Sequence, residues 1–150
     1  MNGVIGEIIA VMKFQLDEAG AEIGIEPLPT CVGDHVQTSQ VFGNIIDNAL
    51  KYRDPKRPLR VRITGQLRGG EAIYAIADNG LGIAEEYQAK VFEMFHRLNP
   101  DASSGEGLGL TIAQRVLERQ KGRIWVESRA GAGSTFFISL PAIDAGSPLS

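Results

Sequence analysis

One stretch restricts the fold of this chain more than any other: Gln40-Val41-Phe42-Gly43-Asn44-Ile45-Ile46-Asp47-Asn48-Ala49-Leu50-Lys51-Tyr52. Wound at about 100° per residue, it sets Val41, Phe42, Ile45, Ile46, Ala49 and Leu50 on one broad apolar arc. Gln40, Asn44, Asn48 and Lys51 fall on a narrow polar arc opposite. An apolar arc this wide must pack on a core, and Asp34 is placed to cap the helix start. The polar arc is a poor choice for a face that meets only water. Asn is a mediocre helix former because its side chain competes for backbone hydrogen bonds, and Glu, Gln, Lys or Ala would serve better. Two amide oxygens and an ammonium suit a hydrated cation and a polyphosphate. Taken alone, the stretch is equally an amphipathic helix with an indifferent polar side.

What surrounds this helix reads as a sheet. Leu59, Val61, Ile63 and Leu67 alternate with Arg60, Arg62, Thr64 and Gln66, the period-2 pattern of a half-buried strand. Gly69-Gly70 turns the chain, and residues 71–78 return, with Asp78 sharing an inward face with Tyr74 and Ile76. A second hairpin joins 123–128 to 134–140 through Arg129-Ala130-Gly131-Ala132-Gly133. Shorter strand candidates are 22–25 and 30–32, either side of Pro27 and Pro29. Residues 3–19 repeat Ile5, Ile8, Ile9, Met12 and Leu16 at helical spacing, and with no cap signal this opening helix suggests a piece of a longer chain. A further helix carries Leu108, Ile112, Ala113, Val116 and Leu117 and stops at Gly122. Asp54–Pro58 is a loop. Glu85 to Phe95 suits one or two short helical turns, and 141–150 suits a frayed tail or linker. Three long helices with strands arriving mostly as hairpins predict a mainly antiparallel sheet with helices on one face.

Composition narrows the function classes. The 150 residues make one domain with room for a core. A formal net charge of −3 gives no reason to expect nucleic acid or an anionic membrane. A single cysteine, Cys31, excludes an intrachain disulfide and a cysteine metal cage and fits a reducing cytoplasm. No apolar run approaches the roughly 20 residues of a membrane span.

Two further motifs carry chemistry. Asp78-Asn79-Gly80-Leu81-Gly82-Ile83 ends a strand on an inward carboxylate followed at once by two glycines. The carboxylate can accept from an exocyclic amine such as adenine N6, and the glycines would let a flat ring approach the backbone. Asp-Asn-Gly is also an ordinary turn. Gly105-Glu106-Gly107-Leu108-Gly109-Leu110 is a Gly-rich loop running into a helix N-terminus, where free N–H groups favour phosphates. It lacks the Gly-Lys-Ser/Thr of a Walker loop and does not follow a strand in a βαβ unit, so the dinucleotide fingerprint does not apply.

In this order the motifs resemble the ATP-binding catalytic domain of bacterial sensor histidine kinases, within the Bergerat-type ATPase superfamily. They are most like the kinases linked to phytochrome and other PAS/GAF sensor modules. Gln40–Tyr52 is similar to the N box, Asp78–Gly82 to the first G box, Val91–Leu98 to the F box, Gly105–Leu110 to the second G box, and Gly131–Phe136 to the glycine turn before the last strand. The resemblance implies an α+β two-layer sandwich: a mixed, mainly antiparallel sheet of about five strands with three helices on one face. It implies a catalytic domain over 1–140, with an ATP lid at 79–107. Asn44 would ligate Mg²⁺. Asn48 and Lys51 would contact phosphates, and Tyr52 would pack by the nucleotide. Asp78 would bind adenine, with Gly80 and Gly82 making room. Arg97 would reach the γ-phosphate, Gly105, Gly107, Leu108 and Gly109 would line the phosphate path, and Phe92 and Phe95 would anchor the lid.

Glu106 departs from the pattern, since the second G box usually has a small or hydroxyl residue there. A carboxylate beside a triphosphate is repulsive, so Glu106→Thr is expected to tighten Mg-ATP binding in calorimetry. The phosphoacceptor histidine is also missing. His35, in Gly-Asp-His-Val, and His96, after the F box, match no acceptor motif, and each reads as an ordinary cap or surface histidine. The implied enzyme is the catalytic part of a protein-histidine kinase, unable to autophosphorylate alone. It would work in the cytoplasm with a separate dimerisation domain and a response regulator receiver domain. Two alternatives stand beside it: an anti-sigma-factor-type serine kinase, and a degenerate nucleotide-binding regulatory module.

Overall fold

The computed structural model describes residues 1–88 and 108–142. In chain order the elements are α1 (Asn2–Val11), α2 (Lys13–Glu18), β1 (Glu22–Ile25), α3 (His35–Lys51), β2 (Arg60–Arg68), β3 (Glu71–Asp78), α4 (Glu85–Gln88), α5 (Leu108–Arg119), β4 (Arg123–Arg129) and β5 (Gly133–Pro141). The strands form one five-stranded sheet in the order β1-β2-β3-β5-β4. β1 lies parallel to β2, with α3 between them in sequence, and every other pair is antiparallel. The sandwich is therefore mixed and mainly antiparallel, as expected from the two hairpins.

α3 forms where the pattern placed it, and Asp34 caps it, its carboxylate accepting from Gln37 N at 2.8 Å. The apolar arc is buried, with Phe42 and Ile46 at 0% exposure. It meets the inward row of the sheet, Val61, Ile63, Tyr74, Ile76, Phe136 and Ile138, in one core that also holds Ile5 and Ile8 of α1 and Ala113 and Leu117 of α5. Phe42 stands edge-on to Tyr74 at 5.5 Å. The Tyr74 hydroxyl donates to Pro29 O at 2.6 Å. Burial, reinforced by the neighbouring Cys31 side chain, pushes this phenol far above its ordinary value. The opposite sheet face carries Arg60 and Arg62, and Trp125 stacked on Phe137.

Three local expectations shift. The helix expected over 3–19 breaks at Met12, φ −93° and ψ 9°; Met is a good helix former, so nothing local announces the break. The strand expected over 30–32 is reduced to one bridge, Cys31 to Ala142. Pro27 and Pro29 have no N–H to extend a ladder. β5 runs through Pro141, so the sheet reaches into the stretch expected as tail. Of the short turns expected over 85–95, α4 is one; the rest lies outside the described residues. No helix among the described residues is long and apolar enough to cross a membrane.

Candidate nucleotide-binding site

α3 is held by its apolar arc, which leaves its polar arc free to be chosen for other reasons. Each large buried side chain contributes roughly 1.5–3 kcal/mol, whereas an Asn in place of a better helix former costs at most about 0.7 kcal/mol. Asn44 and Asn48 lie half-buried, one turn apart on the same face. Lys51, on the same polar arc, pairs within the helix. Its Nζ sits 3.0 Å from Asp47 Oδ2, one turn back, with both side chains well exposed. Such a pair is worth only a few tenths of a kcal/mol, so an incoming phosphate can draw the ammonium away.

Asp78 ends β3 on the inward face, in register with Ser134 of β5. Its Oδ1 accepts from Gly80 N at 2.9 Å. Burial raises its carboxyl above the ordinary carboxylate range, against the pull of backbone N–H groups of Gly80 and Ser134. The turn after it is fastened to the end of α3: Leu81 N donates to Tyr52 O at 2.9 Å. A Cβ on Gly80 would lie 2.6 Å from that same Tyr52 O. One on Gly82, whose φ is +75°, would collide with Arg129 O. Both glycines therefore make room for the chain's own backbone. The close approach is what brings Asp78 to the end of α3 that carries Asn48, Lys51 and Tyr52.

Several further residues frame this corner, and Ser128, Gln88 and Arg57 among them carried no local signal. Asn79 donates from Nδ2 to Pro58 O at 3.0 Å and accepts from Arg60 N at 2.8 Å. Ser128 Oγ accepts from Ile83 N at 2.7 Å. Gln88 Nε2 donates to Ser128 O at 2.8 Å and to Ile83 O at 3.0 Å, fixing α4 against β4. Arg57, in a stretch read only as loop, also reaches this corner. A Ser, a Gln and an Arg at these spacings are ordinary surface residues until the fold brings them together.

Leu108 and Gly109 open α5, which packs on α3. Phe92, Phe95, Arg97, Gly105, Glu106 and Gly107 lie outside the described residues, as do the F box and the first half of the second G box. Among the described residues no cluster of His, Cys, Asp and Glu could cage a metal ion. His35 bonds Glu7 of α1 through Nε2 at 3.1 Å, a tie between two helices.

The chain is similar to known proteins along most of its length. It is 37% identical over 139 residues to the phytochrome-like protein Cph1 of Synechocystis sp., covering 92% of this chain and 18% of Cph1. It is 35% identical over 148 residues to the sensor-like histidine kinase SenX3 of Mycobacterium tuberculosis, covering 95% of this chain and 36% of SenX3. The chain thus spans less than a fifth of the length of the phytochrome relative. Among solved structures, the mycobacterial sensor histidine kinase MprB matches with a TM-score of 0.79 at 28% identity, covering 95% of each chain. Full-length ShkA in complex with AMPPNP matches with a TM-score of 0.79 at 28% identity, covering 97% of this chain and 31% of that one. The catalytic domain of histidine kinase ThkA shares the fold, with a TM-score of 0.78 at 22% identity over 95% of this chain and 92% of that one. Residues 33–144 match the family described as Histidine kinase-, DNA gyrase B-, and HSP90-like ATPase, and the chain belongs to that family as a domain of the histidine-kinase type.

Proposed function

We propose that this domain binds Mg-ATP between the polar end of α3, the Asp78 turn and the start of α5. It would donate the γ-phosphoryl group to a histidine on a separate dimerisation domain, from which a response regulator receiver domain would take it. Asp78 is the observation that supports this most. It is a half-buried carboxyl held by two backbone N–H groups, with acceptor capacity left for the exocyclic amine of adenine. Asn44 and Asn48, half-buried one turn apart, suit a hard cation and phosphate oxygens. With no carboxylate cage among the described residues, Asn44 would hold Mg²⁺ through its amide oxygen, with nucleotide phosphates and water as the other ligands. Mg²⁺, when bound, screens the phosphate charge. Lys51 would leave Asp47 for a phosphate, and Tyr52 would pack beside the nucleotide.

The chain's own part is then binding, orientation and electrostatics. The acceptor imidazole nitrogen attacks the γ-phosphorus, an N–P bond forms, and the bond to the ADP oxygen breaks. The match to ShkA, a structure solved with an ATP analogue, supports the nucleotide assignment, and the match to sensor kinases supports the acceptor.

A mixing experiment tests the transfer. This chain is incubated with γ-labelled ATP and a dimerisation hairpin from a related kinase, and the labelled bond is characterised. Acid-labile, base-stable phosphate on the hairpin is the expected result. Acid-stable phosphoserine would favour the serine-kinase reading, and nucleotide binding without transfer to any of several hairpins would favour the regulatory module.

A further inference from the structure

We infer that Arg57 is a positioning residue for adenine recognition, acting through the backbone of the Asp78 turn. The inference rests on the nucleotide reading above. Arg57 lies in the loop after α3, with its side chain 39% exposed and 3.9 Å from Asp54. Its Nε donates to Asn79 O at 2.8 Å, and its Nη2 donates to Gly80 O at 3.0 Å and Gly131 O at 3.1 Å. One guanidinium therefore grips two consecutive carbonyls of the turn after β3 and one of the turn between β4 and β5.

The peptide planes give these bonds their consequence. Asn79 O and Gly80 N belong to one rigid peptide. Its carbonyl is held by Arg57, and its N–H bonds Asp78 Oδ1 at 2.9 Å. Fixing the carbonyl thus aims the N–H that sets the Asp78 carboxylate, and the two bonds polarise one another. The next peptide repeats the pattern: Gly80 O is held by Arg57, while Leu81 N donates to Tyr52 O at 2.9 Å. Leu81 O then accepts from Gly131 N at 2.6 Å, and the Gly131 carbonyl returns to Arg57. Gly80 and Leu81 lie beyond the end of the β2–β3 ladder, so these bonds replace one. Charge-assisted bonds are the stronger kind, and lysine cannot copy the fork geometry.

A residue that merely steadied the fold would weaken all nucleotides alike. A residue that aims Asp78 should matter for the base. ATP presents an exocyclic amine where ITP presents a carbonyl, so ATP should bind the unsubstituted chain at least about tenfold more tightly. In Arg57→Met, ATP affinity is expected to fall about tenfold and ITP affinity less than about threefold, narrowing the preference. An unchanged ATP-to-ITP ratio in a folded Arg57→Met overturns the inference and leaves the nucleotide reading intact. Equal binding of ATP and ITP, or none of either, by the unsubstituted chain overturns the Asp78 reading itself. Should Arg57→Met not fold, Arg57→Lys keeps the charge without the fork. Faster Gly80 amide exchange with a narrowed ratio supports the inference in that variant, and wild-type values for both overturn it.

Discussion

Replacing Asp78 by Asn is expected to weaken ATP binding by about a hundredfold while leaving the unliganded domain at least as stable as before. The binding loss has two parts. On the proposed reading a charge-assisted bond to adenine would disappear, and an amide N–H would face the adenine amine where an acceptor stood. Together these cost about 3 kcal/mol, or roughly a hundredfold in Kd. Stability should move the other way. Burial is the main influence on this carboxyl and raises it, and the two N–H groups offset only part of that. The amide oxygen of Asn can keep the Gly80 bond with no charge to desolvate. The sign with pH follows. A carboxyl raised by folding holds its proton in the folded state at a pH where the unfolded chain has released it. Acidification through that interval therefore favours the folded apo domain, and the gain is lost as pH rises through the folded pKa. Asp78→Asn should abolish this dependence. Calorimetric titration with ATP and thermal melts across pH, on both proteins, check the pair of effects. A variant that loses binding by unfolding would contradict the argument.

Gly133→Ala and Gly82→Ala are expected to be the most destabilising glycine-to-alanine substitutions among the described residues. Gly133 has φ +98°, and a Cβ there would strike Asp78 O; Gly82 has φ +75°, and its Cβ would strike Arg129 O. In both cases the obstacle is backbone, which cannot swing aside. Left-handed strain and overpacking together cost roughly 3–5 kcal/mol, a fall in Tm of order 10 °C for a chain of this size. Gly131 is the internal control. Its φ is +83°, but a Cβ there meets nothing within 4 Å. Gly131→Ala should cost only about 1–2 kcal/mol, the backbone strain alone. Equal melting temperatures for all three would show that the close approaches carry no weight. Because Asp78 O is the group struck at Gly133, that variant should also lose ATP affinity in any fraction that stays folded.

The legible parts of this protein share a property: each is decided within one element and its neighbour. The apolar arc of α3, the Asp34 cap, the two hairpins and the inward face of Asp78, Tyr74 and Ile76 could all be read from periodicity, because burial repeats with the helix or strand. The motif order then carried the family. The break at Met12 and the lost strand at 30–32 were illegible for the opposite reason. Whether Met12 continues a helix, or Cys31 finds a partner in Ala142, depends on packing from distant parts of the chain.

The site divides along the same line. Residue types alone determined that an amide-bearing helix face, an inward carboxylate and glycine turns were available, since hydrogen-bonding capacity belongs to the side chain wherever it sits. Only the tertiary structure decided what holds them together. Gly80 and Gly82 admit Tyr52 O and Arg129 O, and Arg57 closes on carbonyls 22, 23 and 74 residues further along the chain. Contacts across such separations have no period and no local propensity, so no short window of sequence contains them.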